Sequence, residues 1–550
     1  MAKNIKTRAP ITVQSLKSAL PLIAVLLLAL IVRLWGITWG LPSDTHYFSY
    51  HPDESRVMLV IQNLDLLHGK IMPGFYNYPS LQIYLVTLAT TTAYLFGAAD
   101  IVIKDFAVDH AKYAQLFLIG RLITVFMGIG TVWAAYAAGR RIWGHAAGLA
   151  AAAFLAIAPL HAQHSHWITV DVPAAFWTTL ALVFAARIAF ADKRVRHAAL
   201  YAGLCAGLAA ATKYNASLAI LPIFAAIAIR YRATPSSAGL PILLTIAGAI
   251  AAFLIGCPGS IGETAIFMRD IQFETIHVSQ QGGEAFAQTG SGFVYQIVTN
   301  LNCAFGLPFL IAALASAAFA IKRREPGDLL LAAFVIPYYI LISLPQARYA
   351  RYAIPLMPFL CIWLGRSIVV WWHAIGLSRR PVPIVATAAL AAATLIYCYQ
   401  AVAPMAGDDP RDRALAYVRS ASLSGPTGFS TQPWFQAVPL DPYFSFTQPG
   451  GWRRFQSIST PVAAPYLYQG KSWDTAVLDA RPPMIVLSDM DYRDPVRLHQ
   501  AGATAWLFRL QAEYRPAFVA GGDGKTELSI NQLPPDMMYT NPKTWVWVRK

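Results

Sequence analysis

Eleven apolar stretches dominate this chain, near 19–40, 113–139, 146–163, 172–190, 198–212, 214–230, 238–257, 293–321, 328–344, 352–373 and 382–402. A run of about 20 apolar residues is long enough to cross the hydrocarbon core of a bilayer as a helix. A backbone in hydrocarbon has to satisfy its own polar groups, so such a run is helical. The expectation is an α-helical polytopic membrane protein with about 11 transmembrane helices. Composition agrees: 56% of the 550 residues are hydrophobic and 13% are charged, against about 25% charged in a soluble domain.

Basic residues set the threading, because Lys and Arg collect on the cytoplasmic side. Lys3, Lys6, Arg8 and Lys17 precede the first run, and Trp35, Gly36 and Trp39 follow it in place of a small-residue cleavage site. That pattern is a retained signal anchor with residues 1–18 cytoplasmic. Every even-numbered run then ends in a basic cluster: Arg140 and Arg141; Lys193, Arg194 and Arg196; Arg230 and Arg232; Lys322, Arg323 and Arg324; Arg379 and Arg380. The stretch Leu81–Phe96 is also apolar but would invert all later helices if it spanned. It is read as an interfacial or re-entrant helix on the outer side.

This places a transmembrane domain at 19–403, with its first outer loop at 41–112 and further outer segments at 164–171, 258–292 and 345–351. The turn at Lys213 faces outward as well. Residues 404–550 form an outer tail of different character, polar and rich in Pro, Gly and Asp. It reads as a small extracytoplasmic α/β domain, with a helix over Arg411–Ser420 and strands at Met484–Leu487 and Trp545–Val548. The whole suits a multi-pass protein of a cell (inner) membrane, part of the cell envelope. The net charge of +15 fits cytoplasmic loops facing anionic membrane lipids, and no nucleic-acid-binding pattern accompanies it. The five cysteines lie in apolar runs with no CxxC pair, so no disulfide framework is expected.

Ionisable groups at membrane depth are costly and mark functional sites. On the outer side the chain offers Asp53 and Glu54 within Tyr50-His51-Pro52-Asp53-Glu54-Ser55-Arg56, Arg121 in the second run, Asp171 at the start of the fourth, Lys213 between the fifth and sixth, and Arg348 and Arg351 where the tenth begins. Singly, each has a plainer reading: a solvated helix start for Asp53 and Glu54, an N-terminal helix residue for Asp171, and headgroup anchors for the cations. Jointly, carboxylates and cations on one face suit transfer of a group from an anionic phosphate to a neutral hydroxyl, the carboxylate taking the proton and the cations steadying the phosphate. His161, His164 and His166 have no zinc spacing, so no cofactor is expected, and a metal ion is possible but not favoured. P-loop, GxSxG and GxGxxG signatures are missing from the sequence, which leaves ATP or a nucleotide sugar without an obvious site.

In order along the chain come Asp53-Glu54, Arg56, Tyr78-Pro79-Ser80, Arg121-Leu122, Gly139-Arg140-Arg141-Ile142-Trp143-Gly144, Asp171-Val172-Pro173, Thr212-Lys213-Tyr214 and Arg351-Tyr352-Ala353-Ile354-Pro355. Over roughly 19–373 this set resembles the GT-C glycosyltransferases of the protein O-mannosyltransferase and ArnT-like group (glycosyltransferase family 39/83). The resemblance implies an inverting transfer from a polyprenyl-phosphate sugar to a lipid, glycan or protein acceptor. It implies Asp53 as general base, Glu54 and Asp171 positioning the acceptor, and Arg56, Lys213, Arg348 and Arg351 holding the donor phosphate. His51, Tyr78, Arg121, His166 and Tyr349 are expected close to the substrate. Aminoarabinose transferases carry Lys where this chain has Tyr78. The competing reading is a transporter or flippase for a lipid-linked sugar, against which the chain shows no inverted pairing of broken helices.

Overall fold

A computed structural model of the chain describes residues 13–190, 194–280, 283–375, 381–421, 426–442, 466–467 and 471–550. The basic residues Lys3, Lys6, Arg8, Lys193, Arg379 and Arg380 lie outside them.

Each of the eleven apolar runs becomes helical. Helix α1 spans Val13–Leu34. A short α2, Pro52–Gln62, and α3, Leu81–Leu95, follow in the first loop. Then come α4 (Phe106–Trp143), α5 (His145–Ala156), α6 (Pro159–His164), α7 (Asp171–Phe190), α8 (Val195–Thr212), α9 (Ile220–Arg230) and α10 (Gly239–Gly256). Helix α11, Thr264–Gln280, lies in the loop expected outside. The remaining apolar helices are α12 (Leu307–Arg323), α13 (Pro326–Ser343), α14 (Met357–Ala374) and α15 (Pro381–Val402). Large apolar side chains point outward along them, among them Ile255, Ile311 and Val385 at 75%, 60% and 65% exposure. Water would not tolerate such helix faces; lipid does. The protein is a multi-pass membrane protein.

Four runs differ from the simple expectation of unbroken spans, the tenth because it opens as a 3₁₀ segment, Ala350–Leu356, before α14. The third splits into α5 and α6, because Pro159 cannot continue the α5 ladder and instead begins a new helix. The sixth opens as a 3₁₀ segment, Tyr214–Ala219, before α9. The eighth is bent by 119° between Gly292–Phe305 and α12. At the bend Gly306 takes φ +82°, a conformation other residues resist, and Pro308 follows at the start of α12. By length and composition alone, six helices among the described residues are long and apolar enough to cross a membrane, or seven with the bent pair as one, where about eleven are expected from the sequence.

Helices α8 and α10 come together on small residues. Gly203 and Gly207 on α8 lie so near α10 that an added Cβ would sit 2.2 Å from the Thr245 and Ala249 carbonyl oxygens. This is the small-xxx-small packing by which membrane helices gain van der Waals contact without a hydrophobic driving force.

The tail contains α16, Pro410–Ser420, and a five-stranded sheet in the order β2-β1-β3-β5-β4. Its strands are β1 (Thr427–Phe429), β2 (Tyr466–Leu467), β3 (Met484–Ser488), β4 (Tyr514–Ala520) and β5 (Thr544–Arg549). The expected helix and both expected strands are present. β1 pairs parallel with β2 and β3, whereas β5 runs antiparallel to β3 and β4. β3 is buried throughout, as a central strand covered on both faces should be. The tail is not a free appendage. Trp39 donates from Nε1 to Asp409 at 3.0 Å and Tyr50 donates to Asp412 at 2.6 Å, which fastens it to the loop after α1.

Candidate active site

Pro52 starts α2, where its missing N–H costs nothing, and the His51 ring nitrogen Nδ1 accepts from the Asp53 N–H at 3.3 Å. Asp53 and Glu54 both fall in the first turn, where the helix dipole favours negative charge. Consecutive helix residues are rotated by about 100°, so the two carboxylates leave the helix in different directions.

Glu54 turns inward. Arg121 donates to both its oxygens, at 2.9 and 2.6 Å. Ser49 Oγ donates at 2.6 Å and the Ile168 N–H at 2.9 Å. Both members of the Glu54–Arg121 pair are fully buried. Arg121 also donates to the Ile37 and Trp39 carbonyls, each at 2.7 Å. The unit staples α2, α4, the turn after α1 and the loop before α7 together.

Asp53 turns the other way, into a cavity of about 440 Å³. Around it stand Arg56, Tyr78, Asp171, Lys213, Tyr349, Arg351 and Tyr352. Asp171 enters as the first residue of α7. Lys213 enters where α8 ends in an extended residue, and Arg351 from a 3₁₀ segment, Ala350–Leu356. Two ion pairs organise the space: Asp53 Oδ2 to Arg351 Nη2 at 3.3 Å, and Asp171 Oδ1 to Lys213 Nζ at 2.5 Å. The cations also lie over aromatic faces, Arg351 at 4.0 Å from the Tyr349 centroid and Lys213 at 4.5 Å from that of Tyr352, which helps hold a desolvated cation. A quarter of the Asp53 side chain remains exposed, so it is reachable. On one side the lining turns apolar, with Ile271, Phe273, Val278, Leu341 and Ile342. Phe273 and Leu341 there are 52% and 40% exposed.

Of the residues singled out in the sequence, Asp53, Asp171, Arg56, Lys213, Arg351, Tyr78 and Tyr349 meet in this cavity. Five others lie outside its lining. Glu54 and Arg121 are consumed by one another behind it. His51 caps α2 and packs against Trp167 and Tyr539. Burial holds its imidazole down to about 3, opposed by Glu54, so it is neutral. His166 reaches the Trp35 carbonyl at 3.0 Å and the Ala162 carbonyl at 2.9 Å, a structural role. Arg348 donates to Pro345 O, Thr289 Oγ1 and Gly290 O and shapes the turn beside the cavity. Among the described residues no group of three His, Cys, Asp or Glu side chains is arranged to hold a metal ion.

Two further acidic groups at or behind the cavity went unnoticed in the sequence. Glu274 on α11 is a second carboxylate at the cavity. Burial raises its carboxyl above the ordinary value, against the lowering effects of His277, a bond from Asn77, Lys213 and Arg351. Asp536 of the tail accepts from the Ala350 and Arg351 N–H groups at 3.1 and 2.9 Å and lies 3.7 Å from the Arg351 guanidinium. It caps the segment that carries Arg351.

With this geometry in view, residues 116–256 match the family model for dolichyl-phosphate-mannose-protein mannosyltransferases; this segment holds Arg121, Asp171 and Lys213. The oligosaccharyltransferase of Archaeoglobus fulgidus has a similar structure, with a TM-score of 0.53 at 13% identity over 96% of this chain and 76% of that one. ArnT from Cupriavidus metallidurans gives 0.50 at 14% identity over 97% and 98%. No curated protein sequence matches the chain. The chain has the GT-C fold of membrane glycosyltransferases that its motifs resemble. Within that class, its segment 116–256 carries the sequence pattern of the dolichyl-phosphate-mannose-protein mannosyltransferase family.

Proposed function

We propose that this protein is an inverting glycosyltransferase that moves a sugar from a polyprenyl-phosphate donor to an acceptor hydroxyl at the outer face of a cell membrane. The observation that carries the reading is the meeting of Asp53, Asp171, Lys213 and Arg351, four groups far apart in sequence, in one cavity with an apolar side. A structurally similar archaeal oligosaccharyltransferase, with a TM-score of 0.51, has been solved with a dolichol-phosphate.

Each half of the cavity has work to do. The prenyl chain lies along Phe273, Val278, Leu341 and Ile342, where exposed apolar surface is otherwise unexplained. The donor phosphate sits against Arg351 and Lys213, with Arg56 near the mouth; guanidinium and ammonium groups meet the charge that grows on the phosphate as the glycosidic C–O bond breaks. Asp53 takes the proton of the acceptor hydroxyl as its oxygen attacks the anomeric carbon from the opposite face. Asp171 orients the Lys213 ammonium before the phosphate arrives, and Glu274 offers the sugar or acceptor a hydrogen-bond acceptor.

The test is sugar transfer in membranes from a defined polyprenyl-phosphate donor. Asp53→Asn keeps the shape and removes the base, so transfer drops by about two orders of magnitude or more at normal protein levels. Transfer at wild-type rate by Asp53→Asn would refute the assignment.

A further inference from the structure

We propose that a second hollow, at the opposite end of the bundle from the candidate active site, binds the phosphate headgroup of an anionic membrane lipid. Helix α7 starts at the outer cavity with Asp171 and carries Arg187 near its other end. At about 1.5 Å per residue, the two residues are about 24 Å apart along the helix axis. Around Arg187 the ends of α4, α7 and α8 leave a hollow of about 910 Å³. Its charged lining is Arg140, Arg141, Arg187, Arg194 and His197, with no acidic lining residue among those described.

The neighbours show that these basic groups are unusual. At the same end of the bundle Arg323 pairs with Asp328, and Arg366 with Glu325. The hollow's arginines form no such pair among the described residues. Arg140 donates to the Tyr136 hydroxyl at 3.3 Å and Arg187 lies over the Phe184 ring at 5.0 Å, which orients the guanidiniums without neutralising them. Four like charges around one space repel unless an anion fills it, and a guanidinium fork matches phosphate oxygens.

The surroundings favour a lipid over a soluble anion. Phe126, Trp133 and Arg140 recur every seven residues on α4, which places them on one helix face. Phe126 is 64% and Trp133 42% exposed, and Tyr201 at the hollow's edge is 47% exposed. The stripe runs from a hydrocarbon-facing Phe through an interfacial Trp to the arginines, the order of acyl chain, interface and headgroup in a phospholipid. Basic hollows between membrane helices bind such headgroups. The hollow is built this way whatever the outer cavity transfers.

The experiment uses the purified full chain in nanodiscs of phosphatidylcholine doped with phosphatidylglycerol, with bound lipid counted by native mass spectrometry and thermal unfolding followed in parallel. The wild type retains phosphatidylglycerol over phosphatidylcholine by at least about fivefold. The Arg141→Gln/Arg187→Gln double variant loses that preference, while Lys322→Gln, outside the hollow, keeps it. If the double variant does not accumulate, the preference of the wild type decides alone. Equal retention of the two lipids, or a double variant that still selects phosphatidylglycerol, overturns the proposal. Unfolding shifted as much by inorganic phosphate as by phosphatidylglycerol would mark a site for soluble anions and overturn the lipid assignment.

Discussion

Asp53 and Glu54 are chemically alike and adjacent, yet the fold gives them separate tasks. Their rotation about α2 sends one carboxylate into the cavity and the other into a buried arrangement with Arg121. The adjacency was legible in the sequence. The division of labour was not, because the arginine that claims Glu54 is 67 residues away. The convergence of Asp53, Asp171, Lys213 and Arg351 was legible, since threading by basic clusters put all four on one face. Glu274 was missed because α11 is an amphipathic helix in a loop, where one acidic residue looks like solvated surface. These roles predict opposite mutant behaviour. Arg121→Met leaves a buried carboxylate uncompensated, at a cost of about 3–5 kcal/mol. It should lower the unfolding temperature of the purified protein markedly, whereas Asp53→Asn should leave it near wild type. Equal stability of Arg121→Met and wild type would show that the pair holds nothing together.

Among the elements, the long apolar helices were the most legible feature, because a bilayer-length run admits one backbone solution. Their breaks were less so. Pro159, Gly306 and the 3₁₀ turn after Lys213 are local signals whose consequence depends on what fills the gap. Near the bend before α12, Gln296 donates to the Ile342 carbonyl at 2.9 Å and Asn300 to the Arg348 carbonyl at 3.0 Å, satisfying carbonyls at the end of α13 and in the loop that follows it. The α8–α10 contact yields a prediction: Gly207→Leu cannot fit where a Cβ already meets Ala249 O at 2.2 Å, so it should abolish monodisperse protein on size exclusion, while Gly502→Ala in the tail should not. A further prediction concerns the tail. Burial lifts the Asp489 carboxyl from 3.8 to about 6, partly opposed by bonds from Asn531 and Lys543. A raised folded value means that stability is fully present below about pH 4 and lost as pH rises through about 6, by up to about 3 kcal/mol for one group. Asp489→Asn should flatten that part of the unfolding-temperature profile between pH 4 and 7; an unchanged profile would contradict it.

At the scale of the whole molecule, the tail belongs to the site. The sequence showed its strands and its first helix, but not its docking, because Asp536 meets Arg351 across 185 residues of chain. By capping the 3₁₀ segment and flanking the guanidinium, Asp536 fixes where Arg351 points. Asp536→Ala should therefore reduce transfer about tenfold or more, with the loss in kcat or in the apparent affinity for donor, while the rest of the tail still folds. Full activity in that variant would make the tail a passenger. The central claim is spatial: donor phosphate, base and prenyl chain share the cavity bounded by α2, α7, α11 and α13. A cryo-EM reconstruction of the protein in nanodiscs with bound polyprenyl phosphate tests it most directly. The account predicts phosphate density between Lys213 and Arg351, facing Asp53, with the chain leaving past Phe273 and Leu341. Phosphate density at any other place, with this cavity empty, would contradict it.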